Sequence, residues 1–157
     1  MRVVMTNDSS SWKLKTLVQR HLIKEGYEIL DLGTNSEKEK LPYTKAGHLA
    51  AEAIRKGDAD LGVIFCGSGA GVCIVANKHE GVSAVVCESE ETARGCRISN
   101  NADLLCMGGN IVAEEKAKKM ADIFLSTSFM QDIPEERQKV VSDYLVDIRK
   151  MEGEVFI

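Results

Sequence analysis

The sequence predicts a three-layer, doubly wound α/β domain built on a five-stranded parallel sheet. Strand-like and helix-like segments alternate along the chain, two-residue hairpin turns are missing between the strand-like segments, and the central one is apolar throughout. Parallel strands need a helical return between them, and a strand covered on both faces is apolar along its whole length. Of the 157 residues, 44% are apolar, which is enough for one core. We therefore expect residues 1–157 to form a single flavodoxin- or Rossmann-like domain.

The first two strand–helix units occupy the N-terminal third of the chain. The apolar run within residues 2–5 predicts a strand, and the segment after Ser11 carries apolar residues at helical spacing up to Gly26. Residues 27–32 (YEILDL) predict the second strand. The segment AGHLAAEAIRK then predicts a helix that Gly57 closes.

The remaining units repeat this order. Residues 61–65 (LGVIF) predict the central strand, followed by a glycine loop and a short helix. Residues 82–87 and 104–107 predict the last two strands, with a helix from about Ser89 between them and the helix EEKAKKMADIFL after them. A last helix over 134–151 has no strand left to cover. We expect it to be a dimerisation helix in a homodimer or tetramer.

Composition excludes several classes of function. Twenty basic residues stand against 24 acidic ones, so the chain lacks the positive charge that nucleic-acid binding needs. Its apolar runs fall short of the roughly 18 residues of a membrane-spanning helix, and its N-terminus lacks the apolar stretch of a signal peptide. We therefore expect a cytoplasmic protein with neither nucleic-acid nor membrane partners.

Five cysteines and three histidines complete this inventory. The cysteines form no C-x-x-C pair, so neither a disulfide framework nor a metal site is predicted, and we expect no cofactor. Most of the cysteines are expected to be core thiols. The histidines lie within or at the ends of predicted helices, where we expect surface or packing roles: His21, His48 and His79.

The loop after the central strand is the strongest candidate site. It reads CGSGAG from Cys66 to Gly71, with a thiol where the strand ends and a hydroxyl two residues later. Backbone N–H groups at the start of a helix favour negative charge, and glycines let the backbone approach a ligand closely. A thiolate here can act as a base while the amides hold a developing anion. The loop lacks the Lys-Ser/Thr ending of a P-loop, which disfavours nucleoside triphosphates, and similar loops also arise where a strand simply turns tightly into a helix.

These segments resemble the ribose-5-phosphate isomerase type B and galactose-6-phosphate isomerase family of sugar isomerases. The resemblance rests on the CGSGAG loop, an ANKHEGV turn and an AR…NNA…LCMGG segment in that order, together with MRVVMTNDSSSWKLK and DLGTNSEKEKLPY near the N-terminus. It covers about residues 1–126. It implies a metal-independent aldose–ketose isomerase acting on a pentose or hexose phosphate through a cis-enediolate, in a dimer whose sites are shared between subunits.

The resemblance also implies roles for single residues. Cys66 falls on the catalytic base that moves a proton between C1 and C2, and Ser68 replaces a threonine that shuttles hydroxyl protons. The amides implied to hold the enediolate oxygens belong to Gly67, Gly69, Ala70 and Gly71. Asp8 and Asn100 fall on positions that bind sugar hydroxyls, although Asp8 alone could also cap the following helix. Tyr43 is expected either to edge the pocket or to cover the core.

The sequence departs from the family pattern at three places. Ser9 stands where the family has a first-loop histidine, Ser99 stands where it has a ring-opening histidine, and the GGRH-type tail is missing, which leaves Arg137 nearest the phosphate-binding register. We count Ser9, Ser99 and Arg137 among the substrate-binding candidates because of these positions.

Three explanations remain open. The chain is a homomeric isomerase for an altered substrate, such as an open-chain or non-phosphorylated sugar or a uronate. Alternatively, it is the cysteine-bearing subunit of a heteromeric isomerase completed by a paralogous chain, or it is a non-catalytic ligand-binding module. A Cys66 sulfur that faces a concave site favours catalysis, whereas a buried sulfur favours the binding module.

Overall fold

A computed structural model describes residues 1–156 and confirms the doubly wound α/β class. Five strands form one parallel sheet: β1 (Arg2–Asn7), β2 (Glu28–Asp31), β3 (Leu61–Cys66), β4 (Ala84–Val86) and β5 (Leu104–Gly108). Six helices accompany them: α1 (Trp12–Lys24), α2 (Tyr43–Arg55), α3 (Ala70–Ala76), α4 (Glu90–Asn100), α5 (Glu114–Ser126) and α6 (Glu135–Val155). Each helix up to α5 follows the strand of the same number, as the alternating pattern predicts.

The strand order determines where a ligand can bind. The order across the sheet is β2-β1-β3-β5-β4, so the chain reverses its winding direction between β1 and β3. Open α/β sheets bind ligands outside the carboxyl ends of the strands at such a reversal. Here those ends are Asn7 and Cys66. Relative to the flavodoxin order, β4 and β5 are exchanged, and β5 pairs with β3.

Helices cover both faces of the sheet. α2 and α3 pack on the face that carries Val4, Ile64 and Cys66, while α1, α4 and α5 pack on the opposite face. Successive side chains of a strand point to opposite faces, so β3 is apolar along its whole length because both of its faces are buried.

Element ends differ from the sequence prediction in two places that matter below. α2 begins at Tyr43, earlier than the predicted AGHLAAEAIRK helix, because extended Pro42 precedes it and starts the helix there. α6 continues to Val155, beyond the predicted end at 151, and buries no residue. Within residues 1–156, every helix is too short or too polar to span a membrane.

Candidate active site

Three loops meet at the carboxyl edge of the sheet. They follow β1, β3 and β5, and backbone hydrogen bonds connect them beyond the ends of the strands. The Asp8 N–H donates to the Phe65 carbonyl (3.0 Å), the Gly109 N–H to the Cys66 carbonyl (2.8 Å), and the Asn110 N–H to the Gly67 carbonyl (3.0 Å). The structure thereby brings Asp8 and the glycine loop together at the winding reversal.

Cys66 ends β3 on the face covered by α2 and α3, and only 4% of its surface is exposed. Its Sγ accepts a hydrogen bond from the Gly69 N–H (3.2 Å). Gly69 has a φ of +80°, and a β-carbon there would lie 2.9 Å from the Met107 backbone. Both the left-handed backbone and the close approach require glycine. The loop therefore folds tightly back and aims an amide at the sulfur.

Ser68 is exposed at the tip of the glycine loop, and its Oγ accepts a hydrogen bond from the Ala70 N–H (3.3 Å). Two of the four predicted oxyanion amides, those of Gly69 and Ala70, thus donate to side chains of the loop itself. Gly71 lies in the first turn of α3, where amides have no intrahelical acceptor. A β-carbon on Gly71 would lie 2.8 Å from the Tyr43 ring, so Tyr43 covers the start of α3.

A polar cleft of about 380 Å³ lies beside this loop. Gly67 faces it, since a β-carbon there would lie 3.3 Å from Asn110 Nδ2 and 3.6 Å from Ser10 Oγ. Residues 8–11 between β1 and α1 form a serine loop. Asp8 Oδ1 shapes it by accepting hydrogen bonds from the Ser10 N–H (3.1 Å) and hydroxyl (2.7 Å). Residues 9–14, Glu37, Gly109 and Asn110 line the cleft. Hydroxyls, an amide, a lysine and a carboxylate make it suited to a small polar ligand.

Sequence reasoning predicted Ser9 but missed other polar residues of the lining, among them Ser10, Lys13 and Asn110. For Asn110, the sequence feature that could have indicated the site is the GGN run of residues 108–110 at the end of the last strand. In the flavodoxin order that run would lie two strands away from β3, whereas the observed pairing of β5 with β3 brings it beside Gly67. Periodicity along the chain carries no information on this strand order.

Ser9 is engaged with the loop after β2. Its hydroxyl accepts a hydrogen bond from the Leu41 N–H (2.8 Å), and its own N–H donates to the Leu41 carbonyl (3.0 Å). Fully buried Asn7 fixes the same loop, because its Oδ1 accepts from the Thr34 N–H (2.9 Å) and its Nδ2 donates to Thr34 Oγ1 (2.7 Å). A β-carbon on Gly33 would overlap the Asn7 side chain. The DLGT segment therefore has a structural role behind the site.

A buried ion pair anchors that loop. The Lys15 side chain is completely buried, and its Nζ donates to both Asp31 carboxylate oxygens (2.8 and 3.0 Å) and to Asn35 Oδ1 (2.7 Å). Burial acts to raise the pKa of Asp31, but the Lys15 ammonium and the Gly33 amide outweigh it, so the pKa lies below its ordinary value. The pair connects α1 to the end of β2.

The other thiols are free and lie in different surroundings. Cys73, half-buried on α3, has its pKa lowered to about 7, chiefly by a hydrogen bond with Cys106. Burial raises the pKa of Cys106, which lies in the core. Contact with Cys96 raises the pKa of Cys87. Cys73 is therefore the natural comparison for Cys66 in chemical labelling.

Ser99, Asn100 and Arg137 are not brought to the glycine loop of the same chain. Ser99 and Asn100 are exposed in the last turn of α4, which runs back from the carboxyl edge to the start of β5. Arg137 lies in the first turn of α6, which packs against α4. α4 and α3 cover opposite faces of the sheet, so one chain holds these two groups of predicted residues apart.

The three histidines lie outside the cleft. His21 contacts Asp122 through Nε2 (2.8 Å), and His48 contacts His79. Over residues 1–156, no group of three or more His, Cys, Asp and Glu side chains is arranged to hold a metal ion.

The chain has a parallel, doubly wound sheet, and a thiol lies in the glycine loop at its winding reversal, beside a small polar cleft. These features are typical of α/β enzymes that act on small molecules. The chain belongs to the Ribose/Galactose Isomerase family, whose model matches residues 3–141. The family resemblance found in the sequence is thereby confirmed, and the protein is a sugar isomerase.

Individual relatives agree with this placement. The chain is 36% identical, over 99% of its length and 98% of the relative's, to a 4-deoxy-4-sulfo-D-erythrose isomerase from Clostridium sp. (strain MSTE9). It is 30% identical, over 82% and 85% of the two chains, to a D-erythrulose-4-phosphate isomerase from Pectobacterium atrosepticum. Its fold matches a ribose-5-phosphate isomerase B structure from Clostridium thermocellum with a TM-score of 0.90 and 30% identity, over 99% of each chain.

Proposed function

We propose that the protein interconverts an aldose and a ketose through a cis-enediolate, with Cys66 as the proton-transfer base. The observation that carries this proposal is the sulfur at the end of β3, which accepts a hydrogen bond from the Gly69 amide. The thiolate removes the proton from C2 of the aldose and returns it to C1, while the exposed Ser68 hydroxyl moves a proton between O2 and O1. Loop and α3 amides hold the enediolate oxygens.

The burial of Cys66 needs an explanation, since a buried sulfur is also what a non-catalytic module would have. Proton transfer at carbon builds up charge, and a site shielded from water stabilises that charge more strongly through fixed dipoles. A thiol that only fills space also requires no left-handed glycine whose N–H is directed at its sulfur. These two features favour catalysis over the binding module.

The missing histidines favour a substrate that does not close into a ring. A four-carbon sugar with a phosphate on O4 or a sulfonate on C4 has no free C4 hydroxyl to attack C1. Such a sugar stays open-chain and needs no ring-opening residue at position 99, where this chain has serine. Two relatives bear the names of four-carbon substrates with a C4 acid group. We therefore propose a C4-phosphorylated or C4-sulfonated tetrose as the substrate.

The cleft beside Gly67 is the proposed position of the C4 acid group. It includes the start of α1, whose first turn carries no acidic residue and whose amides favour an anion. Lys13 adds a cation at the same place, and the serine hydroxyls add donors. Asn100 and Arg137 would reach this site from a second subunit in a homodimer, because in one chain Asn100 ends α4 near the start of β5, away from the carboxyl-edge loops, and Arg137 starts α6, which packs against α4.

Deuterium exchange tests the proposal. The purified protein is incubated in deuterated buffer with D-erythrose 4-phosphate, 4-deoxy-4-sulfo-D-erythrose or D-ribose 5-phosphate, and exchange at C2 is followed by NMR. We expect exchange with the four-carbon acids, little with the pentose, and none above background in C66A. The Ser99→His variant should raise the ratio of pentose to tetrose exchange.

Two outcomes would overturn parts of this proposal. Pentose exchange as fast as tetrose exchange in the wild type would refute the open-chain substrate. Full tetrose exchange in C66A would refute the cysteine mechanism.

A further inference from the structure

We propose that His48 and His79 form a surface site for a divalent transition cation of the nickel or copper type. His48 Nδ1 lies 2.8 Å from His79 Nε2, and the ring centroids are 5.1 Å apart. His48 is exposed on α2, and His79 is half-buried just after α3. Neither residue takes part in the proposed isomerase chemistry, so the site is independent of it.

The surroundings of His79 orient it as a ligand. Its Nδ1 lies 3.1 Å from the Val75 carbonyl and 3.3 Å from the Ala76 carbonyl. A carbonyl only accepts hydrogen bonds, so Nδ1 carries the proton and the lone pair of Nε2 faces His48. Metal-binding histidines typically donate their other ring N–H to a carbonyl or carboxylate in this way.

The packing of α2 on α3 holds the two rings together. Gly47 lets the helices approach closely, since a β-carbon there would lie 2.8 Å from the Val72 carbonyl and 2.9 Å from Val75 Cβ. His48 follows Gly47 directly and is thereby placed beside the end of α3. The core fixes the backbone on both sides of the pair, because His48 lies on α2 and His79 lies in the turn just after α3.

The spacing of the nitrogens selects the type of cation. With metal–nitrogen bonds of about 2.05 Å, nitrogens 2.8 Å apart subtend about 86° at the metal. That angle suits neighbouring positions of a square-planar or octahedral ion such as Cu²⁺ or Ni²⁺, with water completing the coordination. A tetrahedral ion such as Zn²⁺ would require the nitrogens to separate by about 0.5 Å.

Binding keeps both imidazoles neutral. Without metal, His48 Nδ1 donates its proton to His79 Nε2. With metal, that proton moves to His48 Nε2, and each ring tilts about its binding nitrogen, so that both lone pairs converge on the cation while the nitrogens keep about the same spacing. Protons compete with the cation for these lone pairs, because a protonated ring cannot bind a metal ion.

A cation at this site would connect the two helices that begin at the candidate active site. α2 starts with Tyr43, and α3 starts directly after Gly69. The cation would therefore join α2 to the far end of α3 and stabilise the folded chain.

Calorimetric titration with Ni²⁺ on protein without an affinity tag tests the site, since Cu²⁺ would also oxidise thiols. We expect one Ni²⁺ per chain at pH 7.5, a rise in Tm that EDTA reverses, and at least tenfold weaker binding in both His48→Gln and His79→Gln. His21→Gln is the matched control, because His21 lies on α1 against Asp122. Cys73→Ala controls for nickel binding to the half-buried thiol of α3.

Wild-type affinity in both His48→Gln and His79→Gln would overturn the proposal. So would a loss of binding in His21→Gln or Cys73→Ala of the size expected for the His48 and His79 variants. Because the readout is binding of the ion, these outcomes do not depend on whether the tetrose isomerase proposal holds.

Discussion

The predicted site residues fall into two groups that differ in how firmly the fold fixes them. One group lies in the carboxyl-edge loops, and the other lies at the end of α4 and the start of α6. The glycine loop, the serine loop and the GGN run are connected by backbone hydrogen bonds of 2.8 to 3.0 Å, and Cys66 lies in the core. Ser99, Asn100 and Arg137 are exposed on helix ends. α6 buries none of its residues and exposes Val140, Tyr144, Val146, Ile148, Met151 and Val155.

This difference agrees with the proposal that one chain builds half of a site. In that proposal, the proton transfer by Cys66, which requires fixed geometry, belongs to the half made by the hydrogen-bonded carboxyl-edge loops, called the rigid half below. The groups expected to contact the substrate from outside lie on a surface whose exposed apolar side chains are typical of a subunit interface. Five predictions test this division, beginning with the largest effect.

Removing the Cys66 thiol should abolish the function of the rigid half. We expect Cys66→Ala to lower the isomerisation rate by about 10²- to 10⁴-fold, the usual contribution of a positioned base. The measurement is aldose–ketose conversion of the C4-acid tetrose, with the melting temperature as a check on folding.

Cys73→Ala is the matched control for Cys66→Ala. The pKa of the Cys73 thiol is lowered to about 7, chiefly by a hydrogen bond with Cys106, yet this thiol lies on α3 outside the loop. It should retain activity within about twofold, because ionisation without position supplies no base to the substrate. Equal losses in the two variants would contradict the special role of Cys66.

Breaking the buried Lys15–Asp31 ion pair should lower the free energy of unfolding strongly. Asp31→Asn leaves the completely buried Lys15 ammonium without a countercharge, which typically costs about 3–5 kcal/mol. Urea unfolding measures the loss. Asp143→Asn, which breaks the exposed Lys139–Asp143 pair on α6, should leave the free energy of unfolding almost unchanged, because water screens an exposed pair.

The same ion pair predicts a pH dependence. The pKa of Asp31 is lower in the folded chain than its unfolded value near 3.9, so its contribution is complete above that value and is lost as the pH falls through the folded pKa. Below about pH 4 the wild type should therefore lose part of its advantage over Asp31→Asn. A constant difference in unfolding free energy from pH 7 to pH 3 would contradict this.

The sequence predicted more of the carboxyl-edge loops than of the arrangement of Ser99, Asn100 and Arg137. The apolar run of β3 and the glycine loop identified the central strand, its buried environment and the position of Cys66. The cleft residue Asn110 was missed because the β5–β3 pairing places it beside Gly67. Lys15 was missed because a lysine in a helical pattern is normally exposed, and only the fold reveals its pairing with Asp31.

A subunit-mixing experiment tests whether the exposed half serves a second chain. Asn100→Ala should lower activity about tenfold or more if Asn100 contacts the substrate. When Cys66→Ala and Asn100→Ala chains are unfolded and refolded together, half of the dimers are mixed, and each mixed dimer has one intact site. Activity should then recover to about a quarter of the wild-type value.

Two controls complete the mixing experiment. Each variant refolded alone should keep its lowered activity, and Tyr144→Glu in both chains should prevent recovery, because the exposed Tyr144 lies on the proposed interface helix. Full activity of Asn100→Ala alone, or no recovery on mixing, would indicate that each chain works with its own residues.

The smallest effect is expected at Ser68, where the rigid half meets solvent. Its hydroxyl already accepts the Ala70 N–H at 3.3 Å, so it is oriented without substrate, and its exposed position leaves room for one more methyl group. Ser68→Thr keeps the hydroxyl and should change kcat by less than about threefold, whereas Ser68→Ala removes the proton shuttle and should lower kcat by about tenfold with little change in KM. An increase in KM alone for Ser68→Ala would assign the hydroxyl to binding, and it would leave proton transfer between the two oxygens to water or to the partner chain.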